Sequence, residues 1–359
     1  MPSEANCRQI PMIRIASTLV LLAVLPWQGA AAAPDGSTLF SQHCAACHGR
    51  DGSGGVGVPL SMPSFLQSVS DDYLRKSIRL GRPGRVMPAF SRLSDAETDA
   101  IVAHVRGLSD EPAPTYDEQR MAGSADRGRE LFAARCAVCH GDHGQGGQGT
   151  GVTMSRPRDL PILAPALNNP GFLGAATDAM IKRTLMEGRK DTPMVSFLQQ
   201  GLTEGDIEDV VAYVRSFEQA APPKSAQLLE TESPVIVRES PYTVKETVEN
   251  LKSVILGQNF RLIRVQYLNE GFVPEGKEDT DQVIVYSCNF NFLNEALKVD
   301  PRVGLFLPCR ATVFKHGDKV YVMSVNPKRL SVIFNNSELN ELCEEMNRIY
   351  VSMIEEAVL

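Results

Sequence analysis

Two late stretches in the first two thirds of the chain carry the same helical pattern. Ser94-Asp-Ala-Glu opens a run in which Ile101, Val102 and Val105 share one face, and Thr203-Glu-Gly-Asp opens another with Val210, Val211 and Val214. Each opening reads as a capping box, in which a hydroxyl and a carboxylate three residues apart satisfy free backbone N–H groups. From about Ser233 the pattern changes, and β-branched and aromatic residues dominate. Strands are predicted over 234–238, 260–267 and 281–288, and a hairpin of 305–315 and 319–325 turns at His316-Gly317-Asp318. Helices are predicted from Thr243 through Val248, Leu251, Val254 and Ile255, over 290–299 up to Asp300-Pro301, over 327–334 and over 338–356. The last segment reads as an α+β domain with its own core.

At the N-terminus Arg8 and Arg14 precede an apolar run, Ile15 to Leu25, and Gly29 to Ala33 are small residues. This is the layout of a secretory signal peptide cleaved near Ala33, too short to persist as a membrane-spanning helix. Cys7 leaves with it. No other long apolar run occurs, so no permanent membrane span is expected after cleavage. Proline-containing stretches mark two linkers. The expected organisation is a signal peptide at 1–33, a first domain at 34–110, a linker at 111–123, a second domain at 124–219, a linker at 220–233 and the α+β domain at 234–359.

A hydrophobic content of 43% and a charged content of 22% are ordinary for a globular protein. The net charge of −7 argues against a nucleic-acid partner and favours partners with basic patches.

The chemistry lies in Cys44-Ala-Ala-Cys47-His48 and Cys136-Ala-Val-Cys139-His140. Two thiols separated by two residues reach two vinyl groups on one edge of a haem, and the following histidine offers its imidazole to the iron. A redox C-x-x-C would need a βαβ setting, and zinc would need a second ligand pair; neither surrounds these motifs. The two motifs belong to an internal repeat. Gly49 to Gly55 parallels Gly141 to Gly147 at an offset of 92, and further on the offset becomes 107, matching Leu60 to Leu167, Gly81-Arg82 to Gly188-Arg189 and Phe90 to Phe197. The second copy thus holds 15 extra residues, expected as a surface loop around 150–164. At the same offset Met87 matches Met194, whereas Met62 matches Asn169, a poor iron ligand. Met87 and Met194 are therefore the expected second axial ligands, and Met62 a packing residue. His43, His104, His143 and His316 read as surface or packing residues.

Residues 36–108 and 125–217 each resemble a class I cytochrome c domain: an aromatic, Phe40 or Phe132, then the haem motif, a loop, a methionine and a final helix. The resemblance implies two all-α cytochrome c domains ahead of the C-terminal α+β domain. It also implies two covalently attached haem c, with thioethers at Cys44, Cys47, Cys136 and Cys139, proximal His48 and His140, and distal Met87 and Met194. The C-terminal segment resembles the DUF302 family through Thr243 to Leu251, Asn294 to Leu307 with Asp300-Pro-Arg-Val-Gly304, and Val320 to Pro327. That resemblance implies a fold and no activity.

Three cysteines remain, Cys288, Cys309 and Cys343. Buried thiols, a disulfide between Cys288 and Cys309 at one sheet end, and a metal or redox site all fit the pattern. With histidine and methionine on both irons, no coordination position is open to a reactant. The expected function is an exported, periplasmic electron carrier rather than a catalyst, working between a dehydrogenase and an oxidase or another cytochrome, with the C-terminal domain docking a partner or donor. The alternatives are an oxidoreductase whose C-terminal domain binds a small substrate, a sulfur compound being one candidate, and passes its electrons to the haems, and a non-catalytic haem-based sensing or assembly module.

Overall fold

A computed structural model describes residues 33–147, 164–219 and 232–359. Nearly all of the expected signal peptide and inserted loop, and most of the second linker, lie outside the described residues. The first domain comprises α1 (Gly36–His43), α2 (Ala45–His48), α3 (Pro63–Leu66), α4 (Asp71–Leu80) and α5 (Asp95–Arg106). The second repeats it with α6 (Ala125–Arg135), α7 (Ala137–His140), α8 (Pro170–Ala175), α9 (Asp178–Glu187) and α10 (Glu204–Ser216). The capping boxes expected at Ser94 and Thr203 are both formed, with Glu97 and Asp206 closing them.

In each copy the first helix crosses the last at a glycine. A Cβ on Gly36 would stand 2.0 Å from the Ala100 carbonyl oxygen, and one on Gly128 would stand 1.9 Å from that of Asp209. Backbones this close leave room for no side chain. Beside the crossings, Phe40 and Phe132 are each 1% exposed and belong to one apolar core that runs through both domains. Helix α4 packs on α8 across the boundary. The segment between the domains is extended and pinned to both: the Tyr116 hydroxyl donates to the Ser68 carbonyl at 2.9 Å, and the Met121 N–H donates to Asp178 at 2.8 Å.

The third domain is a five-stranded antiparallel sheet of β1 (Val235–Ser240), β2 (Arg261–Tyr267), β3 (Gln282–Cys288), β4 (Cys309–His316) and β5 (Lys319–Val325), in the order β1-β5-β4-β3-β2. Its helices are α11 (Val244–Gly257), α12 (Phe290–Val299), α13 (Leu330–Ile333) and α14 (Asn340–Val358). Alternate residues of β5, Val320, Val322 and Ser324, are buried, and Leu251 and Ile255 of α11 with Ile354 of α14 complete that core. The sequence expectation of a strand from Leu305 is corrected: residues 301–306 form a 3₁₀ turn and pairing begins only at Cys309. Pro308 lacks an N–H to give to a ladder, which keeps it outside the strand. Residues 327–329 and 337–339 are likewise 3₁₀ turns ahead of α13 and α14.

Candidate functional site

The Cys44, Cys47 and His48 side chains line a cavity of about 360 Å³ together with Met87, Phe40, Leu74, Ile78 and Val102. Cys44 ends α1 and α2 is a single turn, so both thiols and the imidazole project from one short stretch. The His48 Nδ1 lies 2.8 Å from the Val58 carbonyl oxygen, and the His140 Nδ1 lies 3.0 Å from that of Pro165. A carbonyl accepts, so in both copies Nδ1 carries the proton and the Nε2 lone pair is left for a metal. Gly57 lets the chain pass against the His48 ring; a Cβ there would lie 2.6 Å from Cε1. Burial lowers the pKa of both histidines, favouring the neutral imidazole a metal needs.

The leading thiol of each motif is not poised for redox exchange. Burial, then the neighbouring cysteine, pushes Cys44 and Cys136 each up to about 11. A reactive C-x-x-C needs its leading thiol depressed instead. Two half-buried thiols, a metal-ready imidazole and a thioether in one apolar cavity fit a covalently held haem.

The repeat also holds in three dimensions. The Arg82 N–H donates to the Met87 carbonyl at 2.8 Å and the Arg189 N–H to that of Met194 at 2.7 Å. The Phe90 N–H reaches the Ile78 carbonyl at 3.0 Å, and the Phe197 N–H that of Leu185 at 2.9 Å. Met62 lines the first cavity as well, as the residue capping α3, and Asn169 caps α8 in the same role. His43 is exposed at the cavity rim, His143 and His316 are exposed, and His104 packs on Phe40 with ring centroids 5.0 Å apart.

Other domains complete the first cavity, which sequence reasoning did not anticipate. The second domain contributes Ala164, Pro165, Asn169, Phe172 and Arg189, and the third contributes Asn336 and Glu338. The Arg189 guanidinium stands over the Phe65 ring at 5.1 Å. Among the described residues no carboxylate lies within ion-pair distance of it, and burial lowers its pKa. Arg82, its counterpart in the repeat, is instead satisfied by the Tyr73 hydroxyl at 3.0 Å and Ser77 Oγ at 2.9 Å.

The loop Gly81–Met87 lies under the third domain. Asn335 Oδ1 accepts from the Gly84 N–H at 2.8 Å, and its Nδ2 donates to the carbonyls of Arg82 at 3.0 Å and Met87 at 2.8 Å. Glu338 forms an ion pair with Arg85. Val86 has φ 69°, a left-handed conformation that costs a β-branched residue about 1–3 kcal/mol unless its surroundings enforce it. The only sequence signal for this contact was the polar run Asn335-Asn-Ser-Glu338, which resembles an ordinary helix start.

The third domain has a cavity of its own, about 350 Å³, lined by Phe292, Met323, Cys309, Cys343, Met346 and Tyr350 among others. Cys288 and Cys309 adjoin at one sheet end, as the sequence suggested, and stand as free thiols. Among the described residues no three His, Cys, Asp or Glu side chains are placed to hold a metal ion by themselves.

Fold and site together define a c-type cytochrome. Residues 31–105 match the family model for cytochrome c oxidase, cbb3-type, subunit III, residues 125–218 match that for cytochrome c, and residues 236–357 match the domain of unknown function DUF302. The chain therefore carries two cytochrome c domains followed by a DUF302 domain, and two covalently bound haem c, the cofactors of electron transfer. Its cytochrome c part belongs on the periplasmic side of the membrane. Among curated proteins it is similar to the cbb3-type cytochrome c oxidase subunit FixP of Bradyrhizobium diazoefficiens, at 31% identity over 50% of this chain and 59% of that one. It is also similar to the subunit CcoP of an Azospirillum species, at 27% identity over 50% of this chain and 60% of that one. The chain thus spans less than two thirds of the length of these relatives. Among solved structures, a DUF302 protein from Bacillus stearothermophilus aligns at 20% identity and a TM-score of 0.32, over 34% of this chain and 98% of that one. Among the described residues no helix is long and apolar enough to cross a membrane.

Proposed function

We propose that this chain is an exported dihaem electron relay, passing electrons between a donor such as a dehydrogenase or another cytochrome and an acceptor oxidase. The similarity to subunits named for the cbb3-type oxidase supports an oxidase of that kind as acceptor. Residues 1–33 direct export. Cys44 and Cys47, and Cys136 and Cys139, would form the thioethers, and His48 with Met87 and His140 with Met194 would hold the two irons. Haem c, when bound, supplies a one-electron ferric–ferrous couple. The side chains do the rest. Backbone carbonyls hold the imidazoles in one tautomer, the methionine thioethers close the remaining positions, and apolar walls exclude water. Arg189 reaches the first cavity as a half-buried cation with no carboxylate within ion-pair distance among the described residues, and a propionate is the partner that would compensate it.

One observation carries the relay reading. The Pro165 carbonyl orients His140 of the second site at 3.0 Å, and Pro165 itself lines the cavity of the first. The two sites thus meet at Pro165. The test is spectroscopic. The oxidised holoprotein should show the far-red methionine–iron band, with about half of it lost in Met87→Ala and half in Met194→Ala. The reduced wild-type protein should not bind carbon monoxide, and ready binding would overturn the relay. The cavity beside Cys309 and Cys343 favours one second reading, substrate oxidation in the third domain; turnover abolished by Cys309→Ser would select it.

A further inference from the structure

The third domain grips one methionine loop and, among the described residues, forms no hydrogen bond or ion pair with the other. Asn335 sits at the centre of the Gly81–Met87 loop and spends its whole side-chain amide there, with one acceptor on Gly84 and two donors on Arg82 and Met87. Only this orientation of the amide matches donors to acceptors. The Asn335 carbonyl accepts from the Val86 N–H, and the Ser337 N–H and Oγ both donate to the Gly84 carbonyl, at 2.9 and 3.0 Å. Behind this segment, Arg302 donates to the Phe334 carbonyl at 2.6 Å, and Asn336 Nδ2 donates to Asp300 at 3.1 Å. Asp300 and Arg302 come from the sequence that carries the DUF302 resemblance.

The two loops differ in how they are defined. In the first, the residue before the methionine is Val86, held at φ 69° with its N–H bonded to another domain. In the second, it is Pro193, whose ring fixes φ, and the Met194 N–H is taken within the loop by Thr192 Oγ1 at 3.1 Å. Among the described residues no hydrogen bond or ion pair joins residues 188–194 to the third domain.

We infer that the DUF302 domain governs the sixth ligand of the first haem, with Asn335 as the positioning residue that keeps Met87 at the iron. This rests on the reading of Met87 as the distal ligand. Seated, residues 334–338 make the first haem a closed relay; displaced, they free its sixth position and leave the second haem unchanged. The domain of unassigned role is thus a control element for one haem of the pair.

The experiment compares full-length holoproteins carrying Asn335→Ala, the milder Ser337→Ala, Met87→Ala and Met194→Ala. It reads the far-red band, carbon monoxide uptake after reduction, and thermal unfolding as a check on folding. Asn335→Ala should weaken only the share of the band that Met87→Ala removes, and should take up carbon monoxide about tenfold faster at one haem per chain. Ser337→Ala should shift both readouts the same way by less, and it carries the test if Asn335→Ala does not fold. If Met87→Ala loses its share while Asn335→Ala and Ser337→Ala match wild type, the control role is overturned and the ligand reading stands. If Met87→Ala keeps the whole band, the ligand reading itself falls.

Discussion

The Asn335 side-chain amide donates a 2.8 Å hydrogen bond to the Met87 carbonyl across 248 residues of chain. Its geometry depends on a support within the third domain. Asp300 is fully buried, and Arg302 is the cation that faces it, at 2.6 Å. Removing one partner of a buried pair leaves an uncompensated charge, which costs about 3–5 kcal/mol. Arg302→Met should therefore lower the unfolding free energy of the third domain by about 3 kcal/mol, measured by denaturant titration. An unchanged midpoint would mean that Asp300 is satisfied by its remaining hydrogen bonds alone.

Arg189 belongs by sequence to the second domain and by position to the first cavity. A cation beside a haem disfavours the ferric form, so its loss lowers the potential. Arg189→Leu should lower the midpoint of the first haem by on the order of 50 mV, nearly a tenfold change in a one-electron equilibrium, while Arg189→Lys should shift it less. Redox titration, with the haems assigned through the Met87 and Met194 variants, reads this directly. A shift confined to the second haem would mean that Arg189 serves its own domain, as the repeat alone suggests.

That contrast marks where the sequence stops being informative. The haem motifs, the repeat that pairs Met87 with Met194, the capping boxes and most third-domain elements are local patterns, and each was legible from spacing. The Phe40 and Phe132 positions were legible for the same reason. What was not legible depends on contacts far apart in the chain. Gly188-Arg189 repeats Gly81-Arg82, yet Arg82 finds Tyr73 and Ser77 whereas their offset-107 counterparts are Met180 and Thr184. Nothing local says that Arg189 must then turn to the other domain. The strand expected from Leu305 failed for a local reason, a proline ahead of Cys309, that pattern reading set aside in favour of apolar content.

Phe40 and Phe132 occupy equivalent places beside the helix crossings, and each contacts an aromatic ring of the last helix, His104 at 5.0 Å and Tyr213 at 5.3 Å between centroids. Phe40→Ala and Phe132→Ala should each cost about 3–5 kcal/mol, the penalty of truncating a fully buried aromatic. Because one core runs through both domains, each variant should broaden or lower the shared unfolding transition of the two haem domains. Two separate transitions, only one of them moved, would show that the domains unfold independently despite the packing of α4 on α8.

The thiols of the third domain make a pH prediction. Burial, then the neighbouring Cys309, pushes Cys288 up to about 11, and burial pushes Cys343 to about 11 as well. Burial, then contact with Cys309, also raises Tyr350. A group whose pKa rises on folding binds its proton more tightly in the native state, so its contribution is complete below the unfolded value and is lost as pH climbs towards the folded one. Third-domain stability should therefore fall as pH rises from about 9 to about 11, with the ordinary thiol value of 9.0 marking the onset. At pH 8 both thiols should resist iodoacetamide in the native holoprotein and react quickly once it is denatured. If the proposed thioethers hold four cysteines and the proposed cleavage removes Cys7, denatured and unreduced protein should yield the thiols of Cys288, Cys309 and Cys343. Recovery of Cys343 alone would show that the other two had joined as a disulfide, and the alkaline loss of stability would then be traced to Cys343 and Tyr350.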